Sequence, residues 1–434
     1  MITFACTDKQ AMGKLTRYKL GELLEVTRGA SLAGEFYAEE GELIRLTLGN
    51  FNMNGGGFKE NTSKTNIYFT GTVKDNFILK KEDIITPLTE QSKGLLGTTA
   101  RIPESGKYIQ SQDVALIRCN EDLLDNNFCY YLISSDIVRQ QISAAAQQTK
   151  IRHTSPDKIK DCIVWIPELE EQRRIGRVLR DIDDKISLNR QINDNLEAMA
   201  KQLYDYWFVQ FDFPDENGKP YKSSGGKMVW NEKLKREIPE GWHDVSLNEL
   251  ASPQRTIVKP QEEVLYQHFS IPSYDAGGSY ELNYGHQIHS DKFLLREGQL
   301  LVSKLNPWFN RVLWVPEGKN MISSTEFVIM NPKQRSDSGY LYSIVKSKPF
   351  VDFCSQAATG TSHSQRRISP DVMLAFRFPY NPNVSERYGK TIEYIFSQQD
   401  CIKNLSRSLS KQRDEIIPLL LTGQVSVNYH LSDY

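Results

Sequence analysis

The sequence predicts an α+β protein in which two similar globular domains are joined by two long helices packed as an antiparallel coiled coil. Three observations predict this: the chain of 434 residues is too long for one ordinary core, its halves resemble each other, and each half ends in a long amphipathic segment. The predicted order is a tail over 1–16, a first domain over 17–168, a first helix over 169–212, a linker over 213–237, a second domain over 238–384, a second helix over 385–425 and a tail over 426–434.

The two halves repeat the same landmarks at nearly constant spacing. Residues 16–23 open the first half as residues 242–250 open the second. The alternating stretch 111–117, which is typical of a strand, parallels 323–329 at an offset of 212 residues. The motif S-P-D at 155–157 recurs at 369–371, an offset of 214 residues, so one short insertion accounts for the difference. This match predicts a duplicated architecture.

Each half combines short strands with helical segments, which indicates an α+β domain rather than an all-α or all-β one. We predict strands at 84–87, 114–118, 299–302 and 326–330, and helical segments at 126–146 and 338–358.

The two long helices are predicted from heptad spacing. From 170 to 211, apolar residues recur at alternating steps of four and three once Asn189 and Asn193 are included, and buried Asn residues can fix the register of a coiled coil. The second helix should end at Gly423, a typical C-terminal cap. The side chains expected to pair are Ile175, Leu179, Ile182, Ile186, Leu196 and Leu203 in the first helix and Ile395, Ile402, Leu409 and Ile416 in the second.

Two segments next to the first helix have a distinct composition. Residues 213–220 and 223–226 are rich in Pro, Gly and polar residues, so we predict a loop or linker there. The aromatic run at 204–208 continues the spacing of the helix seam, and is therefore expected to pack between helices or against a partner rather than on nucleic-acid bases.

Composition and charge restrict the class of protein. Hydrophobic residues make up 39% and charged residues 25%, and no apolar run approaches the length of a membrane span. No signal pattern opens the chain, so a cytoplasmic location is expected. The six cysteines are scattered, which predicts buried apolar thiols rather than a zinc site or disulfides. The net charge of −1 means that any DNA-binding charge must be local.

Basic and polar loops recur at equivalent places in the two halves. Residues 147–153 precede the first S-P-D motif and residues 360–367 precede the second, while a further loop follows a strand in each half, at 90–94 and 303–307. Arg and amide side chains suit base edges, and Lys, Ser and Thr suit phosphates. The residues expected to bind DNA are Ser92, Lys93, Lys150, Arg152, His153, Lys304, Asn306, Ser364, Gln365, Arg366 and Arg367.

Several short motifs resemble catalytic or metal sites but lack essential members. The run N-P-W-F at 306–309 is similar to the N-P-P-Y/F loop of adenine-N6 methyltransferases, yet Trp308 replaces the second proline and no F-x-G-x-G motif occurs. We interpret it as a turn after a strand. Gly389 lacks the earlier glycine of a phosphate-binding loop, and the histidines at 286 and 289 lack a third ligand. No catalytic or metal-binding residue is predicted.

The whole pattern resembles the specificity subunit of Type I restriction-modification systems, called HsdS. The most specific stretches are I-P-E-L-E-E-Q-R-R-I at 166–175, L-N at 188–189, A-K-Q-L-Y at 200–204, W-F-V at 207–209, I-P-E-G-W at 238–242 and L-L-L-T-G at 419–423. The resemblance implies two target recognition domains, each reading half of a split DNA site, and helices that set the gap between the halves and dock the methyltransferase subunits.

The same resemblance implies a set of partners. These are double-stranded DNA with a bipartite site, two modification subunits that carry S-adenosylmethionine and the adenine-methylating centre, and restriction subunits that use ATP and Mg for translocation and cleavage. The chain itself is then no enzyme and binds no cofactor and no membrane. Two alternatives stay open at this stage: a self-contained DNA adenine methyltransferase centred on Asn306, and a structural coiled-coil protein, which would show no salt-dependent affinity for DNA.

Overall fold

The computed structural model of the chain consists of two compact units. The first unit comprises residues 1–187 and 406–434, and the second unit comprises residues 188–405. Each unit therefore contains one globular domain together with a part of both long helices. The residues described by the structure are 3–6, 15–52, 56–61, 64–90, 94–146, 152–277, 279–360 and 365–428. Both units mix helices with sheets, which confirms the α+β class.

The first unit is built on two four-stranded sheets and three two-stranded pairs. One sheet has the antiparallel order Leu24–Arg28, Val114–Cys119, Ile84–Pro87 and Ala100–Arg101, and the other has the mixed order Tyr108–Ile109, Ile44–Arg45, Tyr68–Phe69 and Tyr37–Ala38. The pairs are Thr16–Lys19 with Ile163–Ile166, Thr89–Glu90 with Arg152–His153, and Thr3–Cys6 with Val425–Asn428. The short helices are Leu20–Leu23, Asn126–Ser134, Asp136–Ala145 and Pro156–Lys160.

The second unit has the same kind of construction. An antiparallel sheet has the order Ala251–Gln254, Phe327–Pro332, Leu300–Ser303 and Val312–Trp314, and a five-stranded sheet has the order Ile257–Val258, Lys292–Leu294, Met321–Ser323, Leu265–Phe269 and Glu281–Tyr284. The pairs are Met228–Asn231 with Arg236–Pro239 and His243–Ser246 with Arg377–Tyr380. The short helices are Leu247–Leu250, Ile271–Gly277, Ser338–Lys346, Lys348–Ala357 and Pro370–Leu374.

The repeat predicted from the sequence is confirmed at the start and at the end of each domain. In the first unit, the strand Thr16–Lys19 is followed by the helical turn Leu20–Leu23 and by the edge strand Leu24–Arg28. In the second unit, His243–Ser246, Leu247–Leu250 and Ala251–Gln254 follow one another in the same way. Both S-P-D motifs begin a short helix, because Ser155 and Ser369 accept a hydrogen bond from the backbone N–H three residues later, at 3.3 and 3.4 Å. The duplication in sequence is therefore a duplication of local structure.

Each predicted helical segment in the domains is divided in two. The segment predicted at 126–146 breaks at Ser135, and the one predicted at 338–358 breaks at Ser347, since both serines have extended backbone angles. Each hydroxyl donates back to the end of the preceding helix, at 2.6 Å to Leu132 O and 2.7 Å to Ile344 O. A serine that bonds to nearby backbone competes with a continuous helix, which is why the apolar spacing alone misplaced these boundaries.

The first long helix runs from Leu169 to Tyr204 and continues as a π-helical turn over Asp205–Val209, short of the predicted end at 212. The second runs from Pro382 to Leu421, whereas the prediction was 385–425. It starts earlier because Asn381 Oδ1 accepts from the N–H groups of Asn383 and Val384, at 3.1 and 3.2 Å, and proline is favoured at the first helical position.

The cap predicted at Gly423 is confirmed. Its φ is +70°, its N–H donates to Leu420 O at 3.2 Å, and the N–H of Gln424 donates to Leu419 O at 2.9 Å. These two bonds form a Schellman motif, which requires the left-handed conformation that glycine adopts without a steric penalty. The cap ends the helix at Leu421, four residues before the predicted boundary.

The two long helices pack antiparallel within each unit. In the second unit, Gln399 Nε2 donates to Asn193 O at 3.2 Å, and the hydroxyl of Tyr388 donates to Ala200 O at 3.4 Å. Later residues of the first helix therefore contact earlier residues of the second, which is the antiparallel order. In the first unit, the guanidinium of Arg413 donates to Asp183 at 2.6 Å. Buried polar contacts of this kind favour one register over its neighbours.

Most of the side chains predicted to pair the helices lie in or beside the two main cores. Ile175, Leu179, Ile186 and Ile395 are buried, and Ile182, Leu196, Leu203, Ile402, Leu409 and Ile416 are half-buried. The core of the first unit joins Ile175, Leu179, Ile182 and Ile416 to side chains of the globular domain, and the core of the second unit does the same with Leu196, Leu203 and Ile395. Each helix therefore packs on its domain as well as on the other helix.

The segment predicted as a linker belongs to the core of the second unit. Residues 228–239 form a hairpin, and the rings of Phe213 and Trp242 are both buried with their centroids 5.1 Å apart. Aromatic side chains bury large apolar areas, so they outweigh the turn-forming composition around them. The predicted tails are also partly regular, because Thr3–Cys6 pairs with Val425–Asn428.

The aromatic run at 204–208 packs as predicted, because Trp207 and Phe208 are buried.

Among the described cysteines, Cys129, Cys162 and Cys354 are buried, but Cys401 is exposed on the second long helix, contrary to the prediction for all six. Throughout the described ranges, no helix combines the length and the apolar character that a membrane span needs.

Candidate nucleic-acid interface

The predicted DNA-binding loops meet in pairs, one pair in each unit. In the first unit, Thr89–Glu90 pairs antiparallel with Arg152–His153, and Thr154 N donates to Leu88 O at 2.8 Å. We call residues 88–90, 94–96 and 152–154 the first loop pair. In the second unit, Leu305 bridges antiparallel to Arg367, and Ile368 N donates to Lys304 O at 3.1 Å. We call residues 303–310 and 365–368 the second loop pair.

The first loop pair is organised around the carboxylate of Glu90. The side chain is only 2% exposed, and its Oε2 accepts hydrogen bonds from the backbone N–H groups of Gly94, Leu95 and Leu96 at 2.8–3.0 Å. Its Oε1 accepts from the guanidinium of Arg152 at 2.7 Å. A buried carboxylate with four donors is fully satisfied, so Glu90 holds the loop rather than a ligand.

Arg152, which the sequence predicted to contact DNA, is occupied by the protein. Besides Glu90, its guanidinium donates to the carbonyl oxygen and the hydroxyl of Ser143, at 2.6 and 2.8 Å. The residue therefore ties the loop to the end of the helix Asp136–Ala145. The neighbouring side chain of His153 is exposed. Ser92, Lys93 and Lys150 lie outside the described residues.

Asn306 connects the two loops of the second pair. Its backbone is left-handed, with φ +49°, a conformation that asparagine tolerates better than most residues. Its Oδ1 accepts from Arg366 N at 3.1 Å, and its own N–H donates to Arg366 O at 2.8 Å. The side chain is buried, so its carbonyl oxygen is engaged by the protein. The run at 306–309 is thus a turn after the strand Leu300–Ser303, as interpreted from the sequence.

The basic residues of the second loop pair differ in how they are engaged. Arg367 forms a fork with Glu326, from Nε at 3.0 Å and from Nη2 at 3.3 Å, and this partner raises the pKa of Arg367. Within the described part of the chain, the guanidinium of Arg366 and the ammonium of Lys304 have no hydrogen-bond or ion-pair partner. Gln365 is exposed, and Ser364 lies outside the described residues.

Sequence reasoning missed the acidic residues that hold these loops. Glu90 stood within a predicted loop and Glu326 within a predicted strand, and neither has a sequence signal that would separate it from an ordinary surface carboxylate. Their roles depend on loops that lie far apart in the chain, since Arg152 follows Glu90 by 62 residues and Arg367 follows Glu326 by 41.

A second candidate surface is an apolar stripe on the first long helix. Leu188, Ile192 and Met199 are exposed and lie four and seven residues apart, which places them on one face of the helix. Isolated exposed apolar residues are ordinary, but a row at heptad spacing is typical of a helix face that another helix covers. We call these three residues the apolar stripe.

The chain is similar to specificity subunits of Type I restriction enzymes. Residues 12–198 match the Type I restriction modification DNA specificity domain. The MjaIX specificity subunit of Methanocaldococcus jannaschii is 26% identical over 323 residues, which cover 71% of each chain. The HindI specificity subunit of Haemophilus influenzae is 30% identical over 107 residues, 24% of this chain and 23% of that one.

The fold is also that of a known structure. The S subunit of a Type I restriction-modification system from M. genitalium matches with a TM-score of 0.59 and 15% identity, covering 97% of this chain and 99% of that one. At this identity the likeness concerns the fold. Two α+β domains with equivalent loop pairs and antiparallel helices define a duplicated two-domain protein. Over most of its length, the chain is similar to specificity subunits of Type I restriction-modification systems.

Proposed function

We propose that each unit reads one half of a bipartite DNA site through its loop pair. The observation that carries this proposal is the recurrence of the loop pair: in both units the loop after a sheet strand is bonded to the loop before the S-P-D helix. A duplicated reader suits a site made of two halves, because each rigidly held copy docks on its own stretch of duplex.

The side chains of the two loop pairs have the chemistry for this role. In the second pair, Arg366 offers the two donors that suit a guanine edge, and Gln365 offers the donor and the acceptor that suit an adenine edge. Lys304 offers a charge for a phosphate. In the first pair, His153 is the exposed candidate. Arg152 and Arg367, which are held by carboxylates, act in this proposal by fixing the shape of their loops. Specificity requires such preorganised donors.

The paired long helices are proposed to set the spacing between the half-sites. Polar contacts favour one register in each unit: Arg413 donates to the carboxylate of Asp183, and the side chain of Gln399 donates to the backbone carbonyl of Asn193. A helix pair in a single register is a stiff element, since sliding by one turn would break these bonds as well as the apolar packing. The resulting spacing would be the same in every copy of the complex.

We further propose that a modification subunit covers the apolar stripe and supplies the chemistry. S-adenosylmethionine would then be bound by that subunit, and ATP with Mg by the restriction subunits. In the described ranges, no group of three His, Cys, Asp or Glu side chains could hold a metal ion. A helix of the partner packed on the stripe would bury three apolar side chains that water now reaches.

The decisive experiment is to express the chain with and without the modification subunit encoded beside it, and to map methylated adenines on a plasmid library. Methylation at one split motif only when both proteins are present would support the proposal and would supply the motif. Methylation by the chain alone would overturn it in favour of a self-contained methyltransferase.

Docking on the apolar stripe is tested by Met199→Glu. This side chain is exposed, so the variant should fold normally but lose co-purification with the modification subunit, because a charge would be buried at the contact. Arg190→Glu places the same charge on another exposed face of the helix and is expected to leave co-purification intact. If Met199→Glu still binds the subunit, or changes only self-association of the chain, the modification subunit does not cover the stripe.

A further inference from the structure

Two large aromatic side chains stand exposed on the second loop pair. Trp308 is 39% exposed and Phe309 is 56% exposed, and their ring centroids are 6.0 Å apart. In the isolated chain both rings are in contact with water. A partner that buries either ring would gain free energy from removing this apolar area from water. Exposed aromatic residues that lie together on a loop are a common feature of binding surfaces.

The turn that carries these rings is rigid. Phe309 N donates to Asn306 O, and Asn310 N donates to Pro307 O, both at 3.0 Å. Asn306 and Asn310 at its two ends are left-handed, with φ of +49° and +48°, and Asn310 Nδ2 donates to Lys346 O at 2.9 Å. The rings therefore project from a fixed backbone, and little conformational entropy would be lost when they bind.

Phe309 is additionally held from one side. The guanidinium of Arg311 lies over its ring at 4.5 Å and donates two hydrogen bonds to Asp275, at 2.7 and 2.8 Å. This arrangement fixes Phe309 by a cation–π contact to an arginine that is itself anchored. Trp308 has no ring contact in the described residues other than the one with Phe309.

The rings lie next to the residues proposed to read DNA. Asn306, at the base of the turn, exchanges two hydrogen bonds with Arg366, and Lys304 precedes the same turn. Flat aromatic faces beside cationic side chains match the two parts of DNA, since bases stack on rings and phosphates pair with Lys and Arg. An apolar protein partner would match the rings but not the neighbouring charges.

Among its described residues, the first loop pair carries no such pair of rings. Its corresponding turn contains Leu95 and Leu96, which are both buried in the first unit. Their backbone N–H groups are bonded to Glu90, so the turn is folded inwards. The two units thus share the loop pair but differ in what projects from it.

We propose that Trp308, supported by Phe309, inserts between stacked base pairs of the half-site read by the second unit, acting as a wedge that unstacks one step and bends the duplex. Apolar wedges of this type are a known means by which proteins distort DNA. Sequence steps that unstack easily are then favoured at that position without any hydrogen bond to them. The first unit leaves its half-site unbent. This inference rests on the proposed DNA-reading function of the second loop pair.

The test uses the complex of the chain with its modification subunit and a duplex that carries the mapped motif. Permanganate reactivity of thymines reports unstacking, and energy transfer between dyes on the duplex ends reports bending. The wild-type complex should show the bend and a reactive step in the second unit's half-site. Trp308→Ala should remove both and weaken binding about five- to 150-fold, the range for one stacked base. Trp308→Phe should retain most of the effect.

Trp230→Ala is the matched control, because Trp230 is 57% exposed on the hairpin of the same unit, and it should change neither the bend nor the affinity. Unchanged melting temperatures would show that each variant is folded. If Trp308→Ala keeps the affinity and the bend of the wild type, the insertion of Trp308 is ruled out, but the proposed reading of the half-site by the second unit is not. If Trp308→Ala no longer binds the modification subunit but the chain keeps its affinity for DNA, Trp308 contacts that subunit and does not insert into DNA. If the wild-type complex binds duplexes with and without the motif equally well, the proposed DNA-reading function is wrong.

Discussion

At the scale of single residues, the environment of a charged side chain matters more than its type. Arg152, Arg366 and Arg367 occupy similar basic loops in the sequence, yet two of them are bound to carboxylates and Arg366 has no such partner in the described residues. A guanidinium that is already paired must give up those bonds before it can bind a base. The three arginines therefore divide into two that shape loops and one available for recognition.

Glu90 provides a direct test of this division. In Glu90→Gln the half-buried guanidinium of Arg152 loses the buried carboxylate that is its counter-charge, so the free energy of unfolding of the first unit should fall by about 3 kcal/mol, as expected when a largely buried ion pair loses one partner. Chemical denaturation measures the change. Glu326→Gln is the control: its ion pair with Arg367 is more exposed, so its loss should lower the free energy of unfolding far less. Equal losses would contradict the structural role of Glu90.

Asp244 predicts a dependence of stability on pH in the second unit. Burial raises the pKa of this carboxyl, but the hydrogen bond and charge of Arg377, at 2.7 Å from Nε, outweigh burial and hold the pKa below its ordinary value. The unfolded chain has an ordinary pKa of about 3.9, so the stabilisation is complete above that pH and is lost as the pH falls through the lowered pKa of the folded state.

The measurement for Asp244 compares the wild type with Asp244→Asn during acid titration. The difference in unfolding free energy between the two proteins should be constant near neutral pH and should shrink below about pH 4. A difference that stays the same down to pH 2.5 would show that Asp244 is not the group responsible.

At the scale of elements, apolar spacing finds the helices but local hydrogen bonds decide their ends. Ser135 and Ser347 break segments that the periodicity presents as continuous, and Asn381 begins the second long helix three residues early. Each of these side chains makes only one or two hydrogen bonds to nearby backbone. These bonds decide where a helix ends, because the backbone N–H and C=O groups at a helix end have no partner within the helix. The boundaries therefore depend on individual polar residues.

The register of the long helices in the first unit is predicted to depend on Arg413. The residue is buried and donates to Asp183 at 2.6 Å, and Asp183 also accepts from the hydroxyl of Tyr131 at 2.6 Å. Arg413→Met should lower the free energy of unfolding by about 3 kcal/mol, because Asp183 is left without its cation. Denaturant unfolding measures this.

Lys411→Met is the control for Arg413, since Lys411 is exposed on the same helix and its contact with Glu415 is long, at 3.8 Å. Its effect should lie within about 0.5 kcal/mol of zero. If both variants have the same small effect, the apolar packing fixes the register without the ion pair.

At the scale of the whole molecule, duplication predicts independent readers. Arg366→Ala should relax base recognition in one half-site only, and His153→Ala should affect only the other, because each residue belongs to the loop pair of a different unit. Methylation mapping of the complex with each variant measures the effect. Equal relaxation of both half-sites by Arg366→Ala would rule out the two-reader arrangement.

The candidate site was predictable in outline because its loops are marked by repetition. The S-P-D motifs and the strands before the second loops located both loop pairs along the chain. The partners within them were not predictable, since Glu90 meets Arg152, and Asn306 meets Arg366, only after distant segments have folded together. The exposure of Trp308 is equally a tertiary property, because its place in a turn does not tell whether another segment covers the ring.

The sequence by itself determined the α+β class, the duplication and the two long amphipathic helices, because these follow from periodicity and spacing that are local in the chain. The tertiary structure decided which loops are joined, which arginines are held by carboxylates and which aromatic rings are left exposed. The physical reason is that burial and ion pairing depend on long-range contacts, and the same side chain has opposite roles inside and outside a packed core.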